Sequence, residues 1–278
     1  MNNFLDILPF IQNLAQQVGD RLLQDFEQAR VAITKDDGSL VTNSDRWADA
    51  YIKNALAQEF PEFGILTEES SRVLPDCDWT WVIDPLDGTT NFARGIPIWG
   101  ISIGLLYCGT PVFGYVSMPP LRQNVYGWLK VAGLGEMQSE SAAFLNGVPI
   151  HRSEVAPDPN SLNNYFFSVC SRSLERMGRS KFPFKLRILG AASYNLLTVA
   201  LGSTIGAVEA TPKIWDIAAA WVILKAVGAV WKPLEADNIF PLQFGKDYSD
   251  SNFPTLVVSH TPILSITKDL VQPISFSK

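Results

Sequence analysis

The chain has 278 residues, of which 47% are hydrophobic and 18% charged, with a formal net charge of −6; this is the profile of a globular protein long enough to bury a large core. The negative balance excludes a nucleic-acid partner held by its backbone, because binding phosphodiesters requires a basic face. The three cysteines, Cys77, Cys108 and Cys170, are odd in number without metal-type spacing, and read as buried free thiols of a reducing, cytoplasmic compartment.

From the N-terminus, Phe4, Ile7, Leu8, Ile11, Leu14, Ala15, Val18 and Leu22 recur at helical spacing, predicting a helix over 4–30. No basic segment precedes it and Asp6 lies near its start, so it is not read as a secretory signal. A second helix is expected over 45–59, with Ser44 as N-cap and Pro61 closing it. Strands are expected near 64–67, 79–83, 99–106, 112–118 and 124–129, and "FLNGVPI" places Asn146-Gly147 at a hairpin tip. Between Gly95 and Leu121 no residue is charged, a stretch longer than a membrane span requires. It is cut by Gly100, Gly104, Gly109, Pro111, Gly114 and Pro119, and "GISIGLLY" and "VFGYVSM" flank a "CGTP" turn, which predicts a buried β-hairpin and no membrane partner. The Pro- and Asn-rich stretch 154–164 marks a boundary between an N-terminal lobe (1–153) and a C-terminal lobe (154–278) that together form one continuous unit. Beyond it, strand 165–170, helix 174–180, strand 185–188, helix 191–201, strand 204–209, helix 216–227 and strands 229–231 and 255–258 give a βαβ rhythm, hence a sheet layered with helices.

The stretch "WVIDPLDGTTNF" (81–92) carries two aspartates at the end of an apolar strand. Carboxylates are rarely buried unless paired or bound to metal. Pro85 has no N–H to give a sheet ladder, so pairing is expected to end there, leaving Asp84 and Asp87 on the loop at the strand's C-terminal edge. Gly88 permits close backbone approach, and the Gly-Thr-Thr amides can form a concave anion nest. Carboxylates beside an anion nest are compatible when cations bridge them, and an all-oxygen ligand set favours Mg²⁺. Further carboxylates are Glu68 and Glu69 in "LTEESS", Asp45 in "LVTNSD" and Asp216 in "KIWDIAAAW". Taken singly, Asp45 and Asp216 read as helix N-caps or dipole partners and Glu69 as a solvated loop charge; their order around "DPLDGTTNF" favours one shared site.

With "LVTNSD", "TEES", "DPLDGTTNF", "FLNGVPI", "RILGAAS", "WDIAAAW" and "VVS" in register, the chain resembles the inositol monophosphatase family of Mg²⁺-dependent, lithium-sensitive sugar phosphatases. The resemblance implies a mixed α/β fold, the layered αβαβα carbohydrate-phosphatase sandwich, in a homodimer. It implies Glu68, Asp84 and the Leu86 carbonyl as ligands of a first metal and Asp84, Asp87 and Asp216 as ligands of a second, two or three Mg²⁺ ions in all. Gly88 and Thr89 match positions whose amides hold phosphate, and the Thr89 hydroxyl one that orients the attacking water with Asp45. Glu68, too, is carried over among the catalytic residues. Gly190, Ala191 and Ala192 match the substrate-contacting start of a helix, Glu209 a carboxylate that accepts hydrogen bonds from sugar hydroxyls, and Lys35 a lysine near the metals. Ser39 stands where many members have aspartate, and alanine replaces the second glycine of a usual "GG" in "VGAVW". Ala191 replaces a common Ser or Thr at what is expected to be the pocket wall.

The implied reaction is hydrolysis of a small phosphate monoester by metal-activated water without a covalent intermediate; two Mg²⁺ about 4 Å apart can clamp the attacking and leaving oxygens. His151 and His260, the two histidines, sit in polar, surface-like contexts, and no cysteine precedes a phosphate-cradling loop ending in arginine, so neither type is read as nucleophile. The default substrate is inositol 1-phosphate or a related sugar or polyol phosphate, with histidinol phosphate and 3′-phosphoadenosine 5′-phosphate as alternatives. A non-catalytic binding protein on the same fold is disfavoured because the metal carboxylates are retained.

Overall fold

The amphipathic N-terminal segment forms α1 (Phe4–Glu27), which buries Ile7, Ile11, Leu14, Val18 and Leu22 along one face. The computed structural model describes residues 4–28, 32–34, 40–130, 140–177 and 182–275; the end of the helix expected over 4–30, the end of that over 174–180, and Lys35 and Ser39 lie outside them. A short antiparallel hairpin, β1 (Ala32–Thr34) and β2 (Leu40–Thr42), leads into α2 (Asn43–Glu59). The cap of α2 is Thr42 and not Ser44. Thr42 has the extended conformation a cap requires (φ −111°, ψ 169°), its hydroxyl accepts from the Ser44 and Asp45 amides, and the Asp45 carboxylate reaches back to the Thr42 N–H. The Ser44 hydroxyl donates instead to Asp25, 2.8 Å away.

Seven strands form the first sheet in the order β3 (Gly64–Thr67), β4 (Trp79–Asp87), β5 (Gly100–Tyr107), β6 (Thr110–Met118), β7 (Gln123–Trp128), β8 (Ala142–Leu145) and β9 (Val148–Pro149). Only the β3–β4 pair is parallel. The uncharged 95–121 stretch is thus the buried β5–β6 hairpin, and no helix among the described residues is long and apolar enough to cross a membrane. A six-residue helix, α3 (Thr89–Arg94), follows β4 directly. After residue 154 the chain passes through a 3₁₀ helix (Pro159–Asn164) into a five-stranded sheet, built from β10 (Phe166–Val169), β11 (Lys185–Arg187), β12 (Gly206–Glu209), β13 (Val230–Pro233) and β14 (Thr255–Val258) in the order β11-β10-β12-β14-β13. Its helices are α4 (Ser171–Met177), α5 (Ala192–Ala200), α6 (Ile214–Ala226) and α7 (Thr261–Ser275).

Three apolar clusters define the layers. Trp81, Ile83, Ile103 and Phe113 on one face of the large sheet pack against α1 and α2. Val82, Leu106 and Val116 on the other face pack with Leu196 of α5, Ala218 of α6, and Ala207 and Val257 of the small sheet. Phe167, Val208 and Leu256 cover the small sheet's far face with Met177 of α4 and Ile263 and Ile274 of α7. The architecture is the expected αβαβα sandwich, with α5 and α6 as its middle layer.

The middle layer lies close because both surfaces are small. Gly104 and Gly114 are directly paired across β5 and β6, and a Cβ on Gly114 would lie 2.4 Å from the Ala219 carbonyl oxygen. The alanines of "WDIAAAW" therefore rest on bare sheet backbone, which brings the first turn of α6 to the end of β4.

Other expectations change. Cys108 is exposed at the β5–β6 turn and Cys77 and Cys170 are half-buried, all three as free thiols rather than core residues. His260 is buried, its ring bridging Ser259 Oγ and the Ser153 carbonyl.

Candidate active site

Residues three apart on a regular strand face opposite sides. Asp84 continues the alternation of Val82, toward α5 and α6, so Asp87 should point away from it. The structure resolves this with a bulge: Asp84 pairs with Ser102 and Asp87 with Gly100, three steps on β4 against two on β5. The extra residue returns Asp87 to the face of Asp84. Pro85 accordingly does not end the strand; it falls in the bulge, where its missing N–H breaks no ladder bond, and pairing resumes at Asp87.

Asp84 is 2% exposed and Asp87 5%. Asp216, at the third position of α6, accepts from the Lys213 N–H at 2.7 Å. The carboxylate oxygens of Asp84, Asp87 and Asp216 lie within 4.8 Å of one another. Glu68, just beyond β3, lines the same cleft without joining that trio, and its charge acts on Asp84 and Asp216. Burial, and then repulsion from Glu68, Asp87 and Asp216, holds the Asp84 carboxyl well above the usual carboxylate range. Burial followed by repulsion from Asp87 and Glu68 does the same to Asp216. Such a concentration of buried like charges fits divalent cations, and the all-oxygen donors fit hard ones.

Asp87 has a second attachment. The Ala192 and Ser193 amides at the start of α5 donate to its two oxygens at 2.8 Å each, and the Ser193 hydroxyl donates to the same oxygen as the Ser193 amide. Burial still raises its pKa, with these donors opposing.

Gly88 follows with φ +90°, a conformation favouring glycine, and caps α3. A Cβ there would lie 3.0 Å from the Ile98 carbonyl oxygen and 3.2 Å from Ala191 Cβ. The Thr89 hydroxyl lies 2.9 Å from an Asp45 oxygen and 3.0 Å from the Leu86 carbonyl, with its proton able to serve either. Asp45 is buried, and burial raises its pKa against the hydrogen bonds from Thr42 and Thr89. A cleft of about 1230 Å³ opens over these groups, lined also by Leu86, Gly190, Ala192 and Glu209.

One sequence expectation is revised here: Ala191 is 1% exposed and packs beneath Gly88, behind the cleft lining and not at the pocket wall. Glu209 ends β12 with 4% exposure and lines the cleft. Burial and the neighbouring Cys170 side chain raise its pKa well above the ordinary value, with the Asn195 amide opposing. Sequence reasoning missed Ser193, Asn195 and Asn91. Asn91 Nδ2 donates to the Ile98 and Leu189 carbonyls, fastening α3 to the loop before α5. Its place inside "DGTTNF" was the available signal.

The inositol monophosphatase family model matches residues 5–253. The chain is 29% identical over 275 residues to the fructose-1,6-bisphosphatase/inositol-1-monophosphatase of Thermotoga maritima, covering 97% of this chain and 99% of that protein. It is 34% identical over 209 residues to the inositol-1-monophosphatase of a Synechocystis strain, with 69% and 66% covered, and 32% identical over 203 residues to the histidinol-phosphatase of Mycobacterium tuberculosis, with 70% and 74% covered. The solved structure of a Thermotoga maritima IMPase matches it with a TM-score of 0.75 at 28% identity, covering 97% of this chain and 99% of that one. A motif in register, a carboxylate trio with Asp84 and Asp87 buried, and a match over nearly the whole chain converge: the protein belongs to the inositol monophosphatase family and is a metal-dependent phosphoric monoester hydrolase.

Proposed function

We propose that the protein hydrolyses a small polyol or sugar monophosphate, inositol 1-phosphate by default, using two or three Mg²⁺ ions. The observation that carries this reading is the Asp84–Asp87–Asp216 trio facing the same cleft as Gly88, Thr89 and the buried Glu209. Glu68, Asp84, Asp87, Asp216 and the Leu86 carbonyl would hold the cations, which when bound supply the positive charge that a phosphate dianion and an attacking water need. The Gly88 and Thr89 amides take the phosphate oxygens. Thr89, donating to Asp45, keeps its lone pairs turned to the water and aligns it for attack on phosphorus. Glu209 accepts from hydroxyls of the alcohol, beside the cleft edge formed by Gly190 and Ala192; a second phosphate there would be repelled, which disfavours 3′-phosphoadenosine 5′-phosphate. The same reading takes the working protein as a cytoplasmic, lithium-inhibited homodimer whose segments 1–153 and 154–278 are two lobes of one catalytic unit.

The test is phosphate release from a panel of inositol 1-phosphate, histidinol phosphate, 3′-phosphoadenosine 5′-phosphate and p-nitrophenyl phosphate, with Mg²⁺ and after exhaustive chelation. Mg²⁺-dependent turnover ranking inositol 1-phosphate first supports the reading. Full turnover after chelation, or a preference for the nucleotide, refutes it.

A further inference from the structure

Asn195 is 1% exposed, lies one turn into α5, and joins two parts of the cleft wall to the buried strand β10 behind it. Its Oδ1 accepts from the Ser168 hydroxyl of β10 at 2.8 Å and from the Leu189 amide at 3.3 Å. The amide N–H of Leu189 can only donate, so the orientation of the Asn195 side chain is set, and its Nδ2 must face the remaining partner. That partner is Glu209 Oε1, 2.6 Å away. The same loop is held from the other side, because the Leu189 carbonyl accepts from Asn91 Nδ2 at 2.7 Å. Ser168 is fully buried on the central strand of its parallel trio, so the chain Ser168–Asn195–Glu209 starts from a rigid point.

We propose that Asn195 is a positioning residue for alcohol specificity: it locks one oxygen of Glu209 and leaves the other directed at substrate hydroxyls. This rests on the reading that Glu209 meets the alcohol. The Glu209 carboxyl also meets the Cys170 side chain, and without the Asn195 donor it would be free to rotate about that contact in the cleft both residues line. The lock also ties Glu209 to the Leu189 loop, so alcohol recognition and the loop before α5 share one side chain.

The clean substitution is Asn195→Asp. It retains an acceptor for Ser168 and the Leu189 amide, removes the amide donor facing Glu209 and sets a second carboxyl against it. The readout is the ratio of kcat/KM for inositol 1-phosphate to that for p-nitrophenyl phosphate, measured on the full chain with Mg²⁺. The expected fall is roughly tenfold, the scale of one hydrogen bond to a charged group, carried mainly by KM. The double variant Asn195→Asp with Glu209→Gln restores a donor–acceptor pair in reversed sense and should recover part of the ratio. A residue with a merely structural role would give additive losses instead, and additivity overturns the proposal. Glu209→Ala separates the two layers of the argument. If it lowers the ratio while Asn195→Asp does not, the Asn195 proposal alone fails; if it leaves the ratio unchanged, the Glu209 reading fails and the proposal with it. Should Asn195→Asp not fold, Ser168→Ala decides. Loss of that anchor should lower the ratio in the same direction, and an unchanged ratio overturns the proposal.

Discussion

Asp87→Asn and Asp216→Asn should abolish most turnover alike, yet separate in the metal-free protein. Sequence reasoning treats the pair as equivalent: each loses a ligand charge and little volume, and each relieves repulsion, so melting without metal stays level or rises. The structure distinguishes them. Asp216 makes one backbone hydrogen bond, to Lys213 N–H, which an asparagine oxygen can keep while repulsion from Asp87 and Glu68 disappears. Asp87 uses both oxygens on the start of α5. An asparagine can satisfy one of the Ala192 and Ser193 amides, but its NH₂ group then faces the other, leaving a buried N–H unpaired at a cost of about 1–3 kcal/mol. At about 2–4 °C per kcal/mol for a protein of this size, Asp87→Asn should melt roughly 2–12 °C below Asp216→Asn. The assay is thermal unfolding of both variants after chelation, repeated with added Mg²⁺, where both should lose the stabilising increment that the wild type gains. Equal melting temperatures without metal, or a higher one for Asp87→Asn, would refute the tether to α5.

Three other outcomes are expected. Thr89→Ala should lower kcat far more than it raises KM in steady-state assays, because the amide proposed to take phosphate survives and the hydroxyl beside Asp45 does not. Gly114→Ala should destabilise by about 1–3 kcal/mol in denaturant titration, since its Cβ would meet the Ala219 carbonyl at 2.4 Å and α6 cannot retreat without moving Asp216. For the metal-free protein, Asp84, Asp216 and Glu209 have native pKa values raised above their unfolded ones, so the native state binds the extra protons. Their stabilising contribution is full below about pH 4 and is lost as pH rises through the raised values. Melting after chelation should therefore fall from mildly acidic to neutral pH while Mg²⁺ reverses the trend, and a rise without metal would contradict the reading.

Much of the fold was written locally. The stripe of α1, the glycine-cut hairpin and the Asn146-Gly147 turn each follow from spacing that one segment carries alone. The exceptions follow from context. Pro85 looks like a terminator on a single strand and becomes a bulge residue only because β5 resumes pairing beyond it. Thr42 outranks Ser44 as cap because the β-strand before α2 presents Thr42 in extended conformation at the boundary. α7 was readable and was missed: Pro262 in its first turn and Ile263, Leu270, Val271 and Ile274 at helical spacing are ordinary signals.

The site divides along a similar line. "DPLDGTTNF" marks the residues proposed to meet the ligand, since those roles demand particular side chains in a fixed order. It says nothing of what holds Asp87, because those partners come from 105 and 106 residues away and any donor of the right reach would serve. The first turn of α5 shows why this matters. Its Ala192 and Ser193 backbone amides hold Asp87, and the Asn195 side chain, on the same turn, holds Glu209. One short segment thus orients both the carboxylate proposed to hold metal and the carboxylate proposed to read the alcohol. A shift of α5 along its axis would displace the two together, so substitutions that move α5 should change metal affinity and substrate preference in parallel.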